Sequence, residues 1–227
     1  EKAQPMIRLT NAAVKYGDNV VFQNLNWTVY PNQHWQIYGP NGSGKTCLLN
    51  LLTGDHPQCY VNDIYIFGFQ RGNGESIWQI KKHIGMVSNG FHLDYQVNCS
   101  AADVILSGFY DSIGLYQPAS NNQKQISAQW LSVLGLSKEA KTPFKQLSHG
   151  DQRLLLIARA MVKHPKLLIL DEPCNGLDEI NRLKVLSLIE LIANQDDTSL
   201  LYVSHYQEDQ IPSINNQLSM LSFQAQG

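Results

Sequence analysis

Eight consecutive residues, Gly39-Pro40-Asn41-Gly42-Ser43-Gly44-Lys45-Thr46, have the types and spacing to hold a phosphate group. Glycines let successive backbone N–H groups turn toward one anion, and a helix starting just after the run adds the positive end of its dipole. Lys45 has the reach for β- and γ-phosphates, and the Thr46 hydroxyl is a hard oxygen ligand for Mg²⁺. A glycine-rich turn matching by chance is the bland alternative. It is weakened by context, since an apolar strand-like run at 35–38 leads in and a helical run at 47–52 leads out. Cys47 opens that helix, where the dipole lowers a thiol's pKa. It lies against the nucleotide in this reading, and filling space is its simplest role.

A second feature complements the first. Leu167-Leu168-Ile169-Leu170 is continuously apolar and ends in Asp171-Glu172. Such a strand ends at the carboxyl edge of a sheet, the edge where a phosphate loop also lies. Asp171 then holds Mg²⁺, directly or through water, and Glu172 orients and deprotonates the attacking water as general base. Alone, an Asp-Glu strand end is usually just a solvated terminus. The two features together predict binding of Mg·ATP and its hydrolysis.

Further motifs follow in an order that resembles the ATP-binding cassette family across nearly the whole chain. Leu147-Ser148-His149-Gly150-Asp151-Gln152-Arg153 is similar to that family's signature motif, Pro173-Cys174-Asn175-Gly176-Leu177-Asp178 to its turn after the second carboxylate, and Val203-Ser204-His205 to its switch histidine. The resemblance implies a P-loop NTPase core of α/β class with an antiparallel β subdomain and an inserted helical subdomain. It also implies that two cassettes enclose two ATP molecules head to tail. Tyr16 would stack on adenine, Ser148 and the Gly150 amide would contact a γ-phosphate across the dimer, His205 would act with Lys45 and Glu172 in catalysis, and Asp178 would touch the partner. Asn89 stands where the family carries a glutamine and would give its amide oxygen to Mg²⁺ or water, from a side chain one methylene shorter. His149 and Asp151 also depart from the usual signature Leu-Ser-Gly-Gly-Gln, and Asp151 brings negative charge to a phosphate-binding helix start. The stretches 34–37, 52–58, 77–85, 92–95 and 107–114 resemble a bacterial branch with two fused cassettes associated with molybdate transport and photorepair.

The elements that must position these groups are legible in outline. Apolar segments at 7–9, 12–14, 20–22 and 27–30, parted by turn signals at 16–19 and 31–32, predict short antiparallel strands. Runs at 64–67, 84–87, 167–170 and 200–204 predict further strands, with an exposed turn at 71–74. Helical periodicity appears at 101–106, 125–134, 152–162 and 182–193, with no convincing strand between 98 and 163. The whole 1–227 is expected to form a single cassette, with 1–89 and 164–227 as nucleotide-binding core and 90–163 as helical subdomain. Trp27, Trp35, Trp78 and Trp130 are expected in packing, and helix packing is the simpler expectation for Tyr110 and Tyr116. His56, His83, His92 and His164 show no ligand spacing.

Composition bounds the rest. The 227 residues are 43% hydrophobic and 16% charged, an ordinary globular balance. A net charge of −2 argues against strong non-specific nucleic-acid binding. Cys47, Cys59, Cys99 and Cys174 form no C-x-x-C pair and read as reduced thiols of a cytoplasmic protein, peripheral at most to the inner membrane. No apolar run reaches the roughly 18–20 residues that cross a bilayer. A transport role therefore requires a membrane permease from another polypeptide. The alternative is an ATPase with a regulatory or DNA-repair-related role and no permease. A non-hydrolysing clamp is a third reading, and Glu172 argues against it. The opening Glu1-Lys2-Ala3 lacks methionine and reads as a piece of a longer protein.

Overall fold

Two long strands, β1 (Ile7–Tyr16) and β2 (Asn19–Val29), pair antiparallel through a two-residue turn at Gly17-Asp18, where Gly17 supplies a φ of 59°. Four short strands were expected here. Asn11 and Asn24 adopt left-handed φ of 49° and 56°, which shifts the register and interrupts the apolar alternation without ending either strand. The computed structural model describes residues 2–195, 197–205 and 211–224; Glu1 lies outside them.

After the hairpin come β3 (Trp35–Tyr38), α1 (Lys45–Thr53), β4 (Asp63–Ile66) and β5 (Phe69–Gln70). Strands β2-β1-β4-β5 make an antiparallel sheet in that order. The expected exposed turn is present at 72–74, but Arg71 at its start departs from it. It is buried, and its guanidinium donates to Leu52 O at 2.6 Å, a cation on the carbonyl end of α1.

The chain continues through α2 (Ile77–Lys81), β6 (Ile84–Ser88), α3 (Asn89–Asp94), α4 (Ala101–Ser107), α5 (Asn121–Val133) and α6 (His149–Met161). It ends with β7 (Leu167–Asp171), α7 (Glu179–Ala193), β8 (Ser199–Ser204) and the edge strand β9 (Asn216–Ser219). The second sheet runs β6-β7-β8-β3-β9, every pair parallel. A parallel sheet covered on both faces needs apolar residues throughout, and β7 shows it, with Leu167 to Leu170 fully buried. One core packs the antiparallel sheet and α1 against this sheet, and a second packs α4, α6 and α7 against its other face. Two packing expectations fail. Trp78 is 75% exposed, because five-residue α2 buries only Ile80, and Tyr116 is 83% exposed in the loop before α5.

Candidate nucleotide site

The register of the parallel sheet builds the site. Ser88 on β6 aligns with Asp171 on β7, Asp171 aligns with Val203 on β8, and Ser204 aligns with Tyr38 on β3. One row thus crosses the carboxyl edge of four strands. Asn89, Glu172, His205 and Gly39 each follow within one or two residues of that row. Ligands in open α/β sheets bind in the crevice at this edge.

A cleft of 610 Å³ opens there, lined by Pro40, Asn41, Gly42, Gly44, Lys45, Thr46, Cys47, Asn89, Asp171, Glu172 and His205, with Ser88, Gly90 and Asn175. Gly42 and Gly44 hold φ of 82° and 97°, the conformations that turn successive amides inward. At Gly44 any Cβ would strike Val21 and Phe22, at 2.9 and 2.7 Å. The loop is braced from behind by Gln224, whose amide nitrogen donates to Ser43 O at 2.9 Å and Val21 O at 3.0 Å. Inside it, Ser43 Oγ is buried without a hydrogen-bond partner among the described residues. A buried orphan hydroxyl is rare and fits a loop shaped around an oxyanion.

Lys45, Glu172 and His205 form one hydrogen-bonded chain. The Lys45 ammonium donates to Gly39 O and, at 3.1 Å, to His205 Nδ1, while His205 Nε2 lies 2.6 Å from Glu172 Oε1. An ammonium only donates, so Nδ1 carries the lone pair and Nε2 the hydrogen. Histidine therefore bridges the loop lysine to the carboxylate. Burial lowers the Lys45 pKa, opposed by the charges of Glu172 and Asp171. Burial, then the Glu172 charge, pushes the Asp171 carboxyl above its ordinary range, against Lys45 and His205. Glu172 itself has φ of 51°, a left-handed backbone that glutamate adopts at a cost of about 1–2 kcal/mol. Its N–H donates to Val203 O at 2.8 Å, holding that geometry. Backbone strain of this kind clusters at functional sites.

Thr46, Asp171 and Asn89 offer a hydroxyl, a carboxylate and an amide oxygen on the walls of one cleft. These are the hard oxygen donors that suit Mg²⁺ shared with a phosphate. The Asn89 oxygen also accepts from Arg153 Nη2 at 3.0 Å, an engagement that spacing alone does not reveal.

Other expected site residues lie outside the cleft lining. Tyr16 is 55% exposed at the end of β1. His56 Nδ1 accepts from Gln58 N, so its Nε2–H donates to the Tyr16 hydroxyl at 2.9 Å. Desolvation, then the neighbouring Cys47 thiol, raises the Tyr16 pKa. Ser148 caps α6 by accepting from Asp151 N at 3.1 Å, and Asp178 caps α7 by accepting from Asn181 N at 2.8 Å. Gly150 lies directly beneath α7, where any Cβ would meet Asn181 Cβ at 2.6 Å. Asp151 turns toward α7 and lies 3.7 Å from Lys184. A larger groove of 860 Å³ separates α5 from α7, but it carries no phosphate loop and size alone does not identify a site. Sequence reading missed Arg153 and His92, whose contacts span about sixty residues.

A phosphate loop opening a helix beside a parallel sheet, with a carboxylate pair at the edge of the strand two places along, defines a nucleotide-binding P-loop ATPase. The family model described as ABC transporter matches residues 22–175, and the chain belongs to that family of ATPase cassettes. It is 52% identical over 219 residues to the ABC transporter ATP-binding protein ModF of Escherichia coli, covering 96% of this chain and 45% of ModF. The chain thus spans less than half of that relative's length. It is 30% identical over 207 residues to the molybdate import ATP-binding protein MolC of Haemophilus influenzae, covering 91% of this chain and 75% of MolC. The solved CbiO1 of Clostridium perfringens, part of the ABC transporter complex CbiONQ, shares the fold with a TM-score of 0.80 at 19% identity. That match covers 95% of this chain and 84% of CbiO1. Among the described residues, no helix is long and apolar enough to cross a membrane.

Proposed function

We propose that the chain binds Mg·ATP in the 610 Å³ cleft and hydrolyses it with Glu172 as general base, the nucleotide being closed by the signature helix of a second cassette. The observation that carries this reading is the Lys45–His205–Glu172 hydrogen-bonded chain on the wall of the phosphate cleft. Loop amides and Lys45 grip the phosphates, and phosphate entry exchanges the lysine's bonds to Gly39 O and His205 for bonds to oxyanions. His205, released from the lysine on Nδ1, keeps its Nε2 hydrogen bond and so fixes the Glu172 carboxylate. Glu172 takes the proton from the attacking water. Thr46 and Asp171, with Asn89 in reach, would hold Mg²⁺, which when bound would supply positive charge to the phosphates. Ser148 and the Gly150 amide, at the first turn of α6, suit the γ-phosphate of a partner cassette.

The same proposal extends to biology. An association with molybdate transport is supported by the fused-cassette resemblance and by the name of the relative MolC, and it requires a permease. A second reading, an ATPase in regulation or DNA repair without a permease, is favoured by one observation. Asn89, at the position where the family's coupling glutamine stands, has its oxygen bonded to Arg153 within the chain.

Phosphate release measured against protein concentration, for this chain and Glu172→Gln, tests the chemistry. A steeper than linear rise that vanishes in the variant is expected; equal release from both sinks the assignment of Glu172. Co-purification from membrane extract separates the readings, and recovery of nucleic acid or soluble protein in place of a permease overturns the transport association.

A further inference from the structure

The first turns of α6 carry a side chain that ordinary packing does not explain. Arg153 is 2% exposed, yet it pairs with no carboxylate among the described residues. Every acceptor around it is neutral. Nε donates to His92 Nδ1 at 2.8 Å, Nη1 to Pro173 O, and Nη2 to Asn89 Oδ1 at 3.0 Å, with longer contacts from both terminal nitrogens to Asn175 O. His92 then uses its Nε2–H to donate to Gln152 Oε1 at 2.7 Å. Gln152 in turn anchors the entry to α6, donating to Phe144 O and Leu147 O at 3.0 and 3.1 Å. Burying a cation without a counter-charge is unfavourable, and an apolar side chain would fill the space more cheaply.

What the acceptors share is their address. Asn89 lines the nucleotide cleft, Pro173 follows the proposed base Glu172 directly, and α6 opens with Ser148 as its cap. A planar guanidinium with five fixed donors can join three segments at once; an ammonium on a flexible stem cannot. The Asn89 oxygen is also the one available to Mg²⁺. Two cations on one amide oxygen repel, so a metal ion drawing on Asn89 displaces the guanidinium, and with it the helix that carries it.

We propose that Arg153 is a positioning residue that clamps the Asn89 segment and the turn after Glu172 onto α6, so that Mg·ATP entering the cleft is felt at the start of that helix. This rests on the reading that the cleft binds Mg·ATP, and the test separates the two. Amide hydrogen exchange would be followed over residues 149–156 of α6 and over the phosphate loop, with and without Mg·ATP, in the full chain bearing Glu172→Gln. Nucleotide affinity would be measured by calorimetry on the same samples. With Arg153 present, Mg·ATP changes exchange over 149–156 by about fivefold or more, the usual scale of coupling between sites.

In Arg153→Lys that response disappears while affinity shifts by less than about fivefold. Asn89→Ala, which removes one acceptor and leaves the buried cation in place, loses it as well. It also keeps the inference testable should an Arg153 variant fail to fold. A response that survives in Arg153→Lys and Asn89→Ala overturns the clamp. So does exchange in the variants that is faster at the phosphate loop as well as over 149–156 before nucleotide is added, with affinity lost too, which marks a residue that only holds the fold. No heat of binding, and no change at the phosphate loop in the parent, overturns the nucleotide reading instead and removes the clamp's signal with it.

Discussion

Glu172 combines two demands that ordinarily conflict, a carboxylate at a fixed point and a backbone conformation suited to glycine. Its φ of 51° follows from the strand edge, where the N–H must reach Val203 O while the next residues turn away toward α7. Glu172→Ala and Glu172→Gly both remove the carboxylate and its bond to His205, so their difference isolates the backbone. The glycine variant is expected to be the more stable by about 1 kcal/mol in urea unfolding, since only alanine keeps the left-handed penalty. Neither variant hydrolyses ATP in the proposed mechanism. Equal stability would mean that the surroundings, and not the side chain's β-carbon, set the cost.

Among the elements, the junction of β3, β8 and α7 depends on His34. Its Nε2 donates to Ala193 O at 2.8 Å and its Nδ1 accepts from Leu200 N at 3.1 Å, so both nitrogens are used by the neutral ring. Desolvation lowers its pKa, with the Ala193 carbonyl and Glu190 opposing. The folded state therefore takes up a proton less readily than the unfolded one. The stability this gives is present above the ordinary value of 6.5 and drains away as pH falls below it toward the depressed folded value. Urea midpoints at pH 7.5 and 5.5 should fall more in the parent than in His34→Gln, where the titration is gone. Where α6 meets α7, Gly150→Ala drives a β-carbon into Asn181 Cβ, which no rotamer change relieves. A loss of about 1–3 kcal/mol is expected in the same unfolding assay.

These elements also show what the sequence could and could not disclose. The phosphate loop and the Asp171–Glu172 strand end are legible because their chemistry is local, every participant lying within a few residues. The helices of 98–163 announce themselves by period. By contrast, β9 offers one buried apolar residue, Leu218, and follows no pattern that a chain reading detects. Trp78 misleads because size suggests burial while a five-residue helix has one inward position. Arg153 reads as a solvated helix charge until the fold brings Asn89 and His92 beside it, 64 and 61 residues away.

For the molecule as a whole, two cores share one sheet, and the cleft sits where strands from its middle come to an end. The cleft is lined by groups from α1, β6 and β7 and from the turns that follow β3 and β8, so ligand binding and global stability are linked. Mg·ATP at about a hundred times its dissociation constant should add about 2.7 kcal/mol, a rise of roughly 5–10 °C in melting temperature for a domain of this size. Lys45→Ala should melt at the same temperature with and without nucleotide. A full shift in that variant would move the binding site away from the loop.

The aligned row of Ser88, Asp171, Val203–Ser204 and Tyr38 gives the sheet two unlike margins. At the carboxyl margin each strand's length is locked to its neighbours', because one extra residue would carry Asn89, Glu172, His205 or Gly39 out of reach of the others. At the opposite margin the starts of β6, β7 and β8, Ile84, Leu167 and Ser199, also share a row, but no group of the cleft follows from it, and Asn194 and Gln195 after α7 are exposed. Tolerance is therefore polarised by strand length and not by loop length: a residue added inside a strand disturbs the carboxyl margin, although the connection that leaves β6 there already carries the helices of 90–163.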